Sequence, residues 1–204
     1  MSAPINGTEG YAQEAPELFA RYENIPAPEA HRAVLHFIPP APADLLDIGA
    51  GTGRDAAWFA EMGHGVIAVE PVEAMRLGAM KLHPLPGIEW LDDSLPDLTR
   101  LRRRGRTFDL VMLTAVWMHL DAAERARAMP CLAALVANPG RIIMTLRHGP
   151  VPPGRRMFEV SAEETIALAE REGLRPTLIA NRPSIQRENR ANGVSWTTLS
   201  LVKV

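Results

Sequence analysis

Cysteine is almost missing. Cys131 stands alone in 204 residues, so no intrachain disulfide can close, and a reducing compartment is the natural reading. Long apolar runs are missing too, since none approaches the roughly 18 residues that a membrane span needs. Met1–Tyr11 has neither a charged opening nor an apolar stretch, so it is not expected to act as a secretory leader. A basic surplus is lacking: 22 Lys and Arg face 24 Asp and Glu, for a net charge of −2. That balance argues against nucleic acid as the main partner. His64, His83, His119 and His148 fall in separate segments without an i, i+4 ligand pair, so no metal site is expected. A Gly-x-Ser-x-Gly elbow and internal repeats are absent as well. The expectation is a soluble cytoplasmic protein with one domain over 1–204, away from membranes, its oligomeric state left open.

What is present alternates between β and α. The pattern predicts helical stretches over about Tyr11–Tyr22 and Pro28–Phe37, halted by Pro39, Pro40 and Pro42. Leu45–Ile48, Val66–Val69, Ile88–Leu91, Phe108–Leu113 and Arg141–Leu146 read as buried strands, with Leu178-Ile179 and Val194–Val202 as the last two. Helices are expected over Arg54–Met62, Glu73–Ala79 and Asp121–Val136. A further helix should open on the capping box Ser161-Ala162-Glu163-Glu164 and stop at Gly173. This order implies an α/β fold with a doubly wound, mostly parallel seven-stranded sheet over 44–204, preceded by a short helical lid over 1–40. Ligands of such sheets bind beyond the carboxyl ends of the strands.

Asp47-Ile48-Gly49-Ala50-Gly51-Thr52-Gly53 joins the first strand to a helix. Glycine permits positive φ and close approach of a ligand to the backbone, and the helix start offers free N–H groups. A dinucleotide fingerprint would place its third small residue one position later, where Arg54 stands. Glu70, at the end of the second strand, is spaced to accept hydrogen bonds from ribose hydroxyls. Asp92-Asp93-Ser94 follows the third strand; it offers either an acceptor for an adenine amino group or an N-cap for the next helix, with Asp93 preferred.

Together, Leu45–Gly53, Val66–Pro71, Trp90–Pro96, Phe108–Val111 and Asn138–Met144 resemble the motifs of class I S-adenosylmethionine-dependent methyltransferases, and Gly53-Arg54-Asp55 is similar to small-molecule members. The resemblance covers about Asp44–Arg147 well and the last strands by order only. Pro139-Gly140 departs from the paired glycines of many members. It implies a Rossmann-like methyltransferase fold with S-adenosyl-L-methionine as cofactor, which Asp47, Gly49, Ala50, Gly51, Gly53 and Arg54 would contact from the first loop. Glu70 and Pro71 would meet the ribose, and Asp92, Asp93 and Ser94 the adenine. Thr114, Ala115 and Val116 would flank the methyl sulfonium.

The methyl acceptor is expected to be a small molecule, because no inserted domain is available to grip a macromolecule. A protein acceptor, or cofactor binding without transfer, are the rival readings. The segment after the fourth strand lacks the prolines of DNA amino-methyltransferases. It holds Trp117 and His119, and His119 is the candidate general base, with a packed core histidine as the alternative. Tyr11 and Tyr22 on the lid can close over the site or simply pack. Arg147 and His148, with Arg155 and Arg156, follow the fifth strand; Arg182, Arg187 and Arg190 lie between the last two. Arginine suits capture of an anionic acceptor, and a solvated rim is the alternative. Arg102-Arg103-Arg104 and Arg106 precede the fourth strand, at the far end of the sheet, and read as a solvated face.

Overall fold

Apolar strands with no alternation demand cover on both faces, and the sheet has it. The computed structural model describes residues 5–204, so residues 1–4 of the Met1–Tyr11 stretch lie outside it. The strands are β1 (Asp44–Ile48), β2 (Gly65–Val69), β3 (Ile88–Leu91), β4 (Phe108–Leu113), β5 (Val136–His148), β6 (Leu174–Pro183) and β7 (Ser195–Lys203). Their order is β3-β2-β1-β4-β5-β7-β6, with β7 antiparallel to both neighbours and the other pairs parallel. The chain winds outward from β1 to β3 and returns at β4 beside β1. The switch point therefore lies between β1 and β4, where ligands of open α/β sheets bind.

Successive strand residues face opposite layers. Leu46, Ile48, Val111, Leu113, Met144 and Leu146 pack on one face with Met129 and Leu132 of α6 (Ala122–Leu135). Leu45, Val66, Leu110, Met112 and Ile143 pack on the other with Ala56 and Phe59 of α3 (Arg54–Glu61) and with Val34. The remaining helices are α1 (Ala15–Glu23), α2 (Ala27–Ala30), α4 (Glu73–Leu82), α5 (Thr99–Arg102), α7 (Ala162–Arg171) and α8 (Arg187–Ala191). Among the described residues no helix is long and apolar enough to cross a membrane.

Helix α1 lies against α4. A Cβ added at Gly78 would come within 2.6 Å of the Phe19 ring, so glycine there lets the two helices close up. Leu18 and Met75 are buried in the same contact. This seat carries α1 over the carboxyl end of the sheet.

Several boundaries differ from the sequence pattern, each for a local reason. Helix α1 starts at Ala15, with Pro16 in its first turn, so Tyr11 precedes the helix. The stretch expected as one helix over Pro28–Phe37 divides into α2 and a 3-10 turn over Arg32–Phe37. Asp121 and Glu124 exchange side-chain and backbone hydrogen bonds, both 2.8 Å, in a complete capping box on α6. The expected box on α7 is half made: Ser161 accepts from the Glu164 N–H at 3.1 Å, but the Glu164 carboxylate takes the buried Arg125 instead. Strand β5 begins at Val136, straight after α6, so Asn138–Gly140 belong to the strand and not to a loop. Strand β6 runs over ten residues rather than two.

Candidate functional site

Between β1 and α3 the backbone turns back on itself. The Gly49 and Ala50 N–H groups both donate to the Val69 carbonyl, at 2.8 and 3.0 Å, which ties the loop to β2. Gly49 has φ +69° and passes so close to Val116 that a Cβ would lie 2.5 Å from its Cγ2. Gly51, at φ +58°, has no outside atom nearer than 3.9 Å to such a Cβ. The open space beside it belongs to a cavity of about 340 Å³ at the carboxyl ends of the strands, within the range usual for small-molecule sites.

Both oxygens of Glu70 hold this loop. Oε2 accepts from Gly51 N–H and Oε1 from Val72 N–H, each at 2.8 Å. Burial raises the Glu70 pKa despite those two bonds. Glu70 and Pro71 line the cavity and each carboxylate oxygen keeps a lone pair for a hydroxyl donor. Asp93 and Ser94 line it too. The Asp93 carboxylate caps its own segment, accepting from Ser94 N–H at 2.9 Å and Leu101 N–H at 2.8 Å. Asp93 thus supports the start of α5 from a distance, while Leu98 holds the N-cap position itself. Asp92 turns outward to Arg100 and Arg76, at 3.3 and 3.5 Å, and leaves the cavity wall.

Under the loop sits a buried acid–base cluster. Asp47 is 2% exposed and its Oδ2 has no hydrogen-bond partner. Burial, and then the neighbouring Asp55, push its pKa well above the carboxylate range. Asp55 itself accepts from Arg54 Nε at 2.8 Å and Thr114 Oγ1 at 2.9 Å, and contacts His31 Nε2 at 2.8 Å. Burial opposes its ionisation, but His31 and Arg54 outweigh burial and hold the carboxyl below its ordinary range. Arg54 also reaches the Tyr22 carbonyl at 3.5 Å. Nothing in the sequence pattern pairs His31 with Asp55, since the contact joins segments distant along the chain.

The opposite wall is built from the segment before α1 and the loops after β4 and β5. His119 Nδ1 lies 2.8 Å from the Arg156 carbonyl. A carbonyl only accepts, so Nδ1 carries the ring proton and Nε2 presents a lone pair. The Tyr11 hydroxyl, 3.0 Å away, then donates to Nε2. Burial lowers the His119 pKa, with the Arg156 carbonyl working against it, and burial raises that of Tyr11. Arg155 lies over the Tyr11 ring at 4.3 Å and forms an ion pair with Glu14. Tyr11, Tyr22, His119, Arg147 and Arg182 all line the cavity, as do Thr114, Ala115 and Val116.

Four sequence candidates lie elsewhere. Gly53, at φ +85°, starts α3 and abuts Trp90 rather than the cavity. Trp117 is fully buried and donates its indole N–H to Thr165 at 3.1 Å, because the 3-10 turn over Trp117–His119 sends it into the core. His148 faces away on β5 and bonds Thr197 at 2.7 Å. Asp92 is the fourth. Of the other arginines, Arg156 is occupied by the His119 carbonyl, Asp121 and Glu124, and Arg190 by the Ser184 carbonyl. The cavity also holds His31, Asp55 and Trp196, which sequence reasoning missed.

The parallel sheet with one reversed strand and the glycine loop at its switch point are those of the Rossmann-like methyltransferase fold. Residues 46–144 match a family model described as a methyltransferase domain. Over that span, just under half of its length, the chain is similar to methyltransferase domains. It is 29% identical over 99 residues to an uncharacterized methyltransferase of Alkaliphilus oremlandii, covering 48% of this chain and 43% of that protein. It is 27% identical over 139 residues to an uncharacterized methyltransferase of Geobacillus sp., covering 66% and 58% respectively. The chain thus spans about half the length of these curated relatives. Among solved structures, it resembles the 1,6-didemethyltoxoflavin-N1-methyltransferase of Burkholderia thailandensis with a TM-score of 0.71 at 20% identity, covering 100% of this chain and 93% of that one.

Proposed function

We propose that this protein transfers a methyl group from S-adenosylmethionine to a small acceptor bearing a negative charge. One observation carries the reading: a single cavity is walled by the cofactor loops on one side and by Tyr11, His119, Arg147 and Arg182 on the other. When bound, the cofactor supplies an electrophilic methyl on a sulfonium, which carries its own leaving group. The open backbone at Gly51 and the unpartnered Asp47 Oδ2 suit a bulky ligand that brings a cation.

The protein's part is to place the acceptor in line and to take its proton. Tyr11 donates to His119 Nε2, so its oxygen is free to accept from an acceptor N–H or O–H. When the acceptor's nucleophilic atom gives up its proton, that proton would pass to the Tyr11 oxygen and the Tyr11 proton to His119 Nε2. His119 is thus the general base, acting through Tyr11. A small acceptor is supported by Ile5, Gly7, Thr8 and Tyr11 and by Pro152 and Pro153, which line the cavity from two segments distant along the chain. The lone Cys131 suits a reducing, cytoplasmic setting.

Incubation of a metabolite extract with methyl-labelled S-adenosylmethionine tests the proposal. Label should enter the low-mass fraction in an anionic product. Label confined to protein, or no transfer despite tight cofactor binding, would overturn it.

A further inference from the structure

Three neighbouring strands place one residue each in a row. Arg147 of β5 pairs with Trp196 of β7, and Trp196 pairs with Arg182 of β6. Directly opposite residues of antiparallel strands share a face, and all three line the cavity. Two inter-strand spacings separate the arginine backbones by roughly 10 Å, with the indole between them.

The two arginines differ from the others around the site. Arg54, Arg155 and Arg156 each meet a carboxylate. Arg147 makes one long hydrogen bond, 3.4 Å to the Gly149 carbonyl, and Arg182 one of 3.0 Å to the Ala30 carbonyl. Neither has an acidic partner among the described residues. Both are half-buried, so each guanidinium loses water without a carboxylate at ion-pair distance. Trp196 is half-buried too, so part of its indole stays open to the cavity. Met118, Met157 and Ile185 add apolar lining nearby.

We propose that Arg147, Trp196 and Arg182 form the acceptor platform, and that the acceptor is a planar aromatic or heteroaromatic carboxylate. The indole offers a flat apolar surface of matching size, and a carboxylate at the ring's edge meets a guanidinium fork. The platform rests on the methyl-transfer reading above, which makes this end of the cavity the acceptor's.

Calorimetry on protein saturated with S-adenosylhomocysteine tests it with quinoline-2-carboxylate, its neutral carboxamide and cyclohexanecarboxylate as probes. The aromatic acid should bind at least ~10-fold more tightly than either comparator. Arg147→Met and Arg182→Met should erase the acid-over-amide preference, and Trp196→Leu the aromatic-over-saturated one. S-adenosylhomocysteine affinity should stay within about twofold in each variant, which also reports that the variant is folded. Equal binding of the three probes by the unaltered protein overturns the platform and needs no variant. So does a loss of S-adenosylhomocysteine affinity in the arginine variants with probe binding unchanged, since the arginines would then hold the cofactor's own carboxylate. If S-adenosylhomocysteine fails to bind the unaltered protein, the methyl-transfer reading itself falls and takes the platform with it.

Discussion

A buried carboxyl with an unpaired oxygen costs stability whenever it ionises, and Asp47 is in that position. Its folded pKa lies above the unfolded one, so the folded state holds the proton more tightly. Stability therefore falls as pH rises past about 4, the unfolded value, until the folded group also ionises. Asp47→Asn should stabilise the empty protein at neutral pH, read as a higher unfolding temperature. The same group should release up to about one proton when a cationic ligand settles beside it. Calorimetry of S-adenosylhomocysteine binding in two buffers of different ionisation heat measures this. A binding heat that does not change with buffer would show that Asp47 takes no part. His119 has the opposite sense: burial lowers its folded pKa, so the native state resists protonation. Its neutral form predominates above about pH 6.5, the ordinary histidine value. Turnover should be flat at neutral pH and fall along an acid limb below that value. His119→Gln should cut turnover about 100-fold and abolish the limb, leaving cofactor affinity intact. Tyr11→Phe should produce a loss of the same kind, because the proposed relay needs the hydroxyl that meets His119 Nε2. Unchanged turnover in both variants would remove the pair from the chemistry.

The segment Ile5–Glu14, ahead of α1, is held across the cavity by side chains from elsewhere. Arg155 is the main clamp: its side chain is 6% exposed, it pairs with the half-exposed Glu14, and it also donates to the Glu9 carbonyl at 3.0 Å. Gly7 leaves only 2.9 Å between a notional Cβ and His119 Cβ, so the strap rests on His119 itself. Arg155→Met should free the strap while the sheet stays folded. The loss should be about 1–2 kcal/mol, since one partner of the pair is well solvated. Limited proteolysis would show early cleavage within residues 5–14, with the main unfolding transition nearly unmoved. This element also marks the limit of what the sequence shows. Strands β1, β2 and β4 are legible because both faces are covered and their residues are mostly apolar, and the edge strand β3 because Ile88 and Leu91 bracket its exposed Glu89. The loop from Asp47 to Gly53 is legible because tight backbone geometry restricts residue type. Helices α5 and α8, of four and five residues, carry too few turns to show a period. The start of β5 was hidden because Asn138-Pro139-Gly140 has the composition of a turn. His31 beside Asp55, and Trp196 between two arginines, arise from pairings across the fold that no local pattern encodes.

Taken as a whole molecule, the fold presents one choice of ligand at its switch point: an adenosine with a methionine tail or a dinucleotide. The local geometry decides between them. A pyrophosphate needs the helix after the loop to start with small residues and free N–H groups. Here that start is filled by Arg54, locked to Asp55 and to the Tyr22 carbonyl, and by the Asp55 carboxylate itself. The carboxyls of Asp55 and Glu70 around the loop would further disfavour two phosphates, while Asp47, its pKa raised by burial, can give up its proton beside a ligand that carries a cation. The expected outcome is selective stabilisation. S-adenosylhomocysteine at ~100 times its dissociation constant should add about 2.7 kcal/mol. For a chain of this size that corresponds to a rise of roughly 5–11 °C in unfolding temperature. NAD at the same concentration should leave the temperature unchanged. A shift with NAD equal to that with S-adenosylhomocysteine would mean that the arginine and the acidic cluster yield to phosphate, and that the cavity reads only the adenosine common to both.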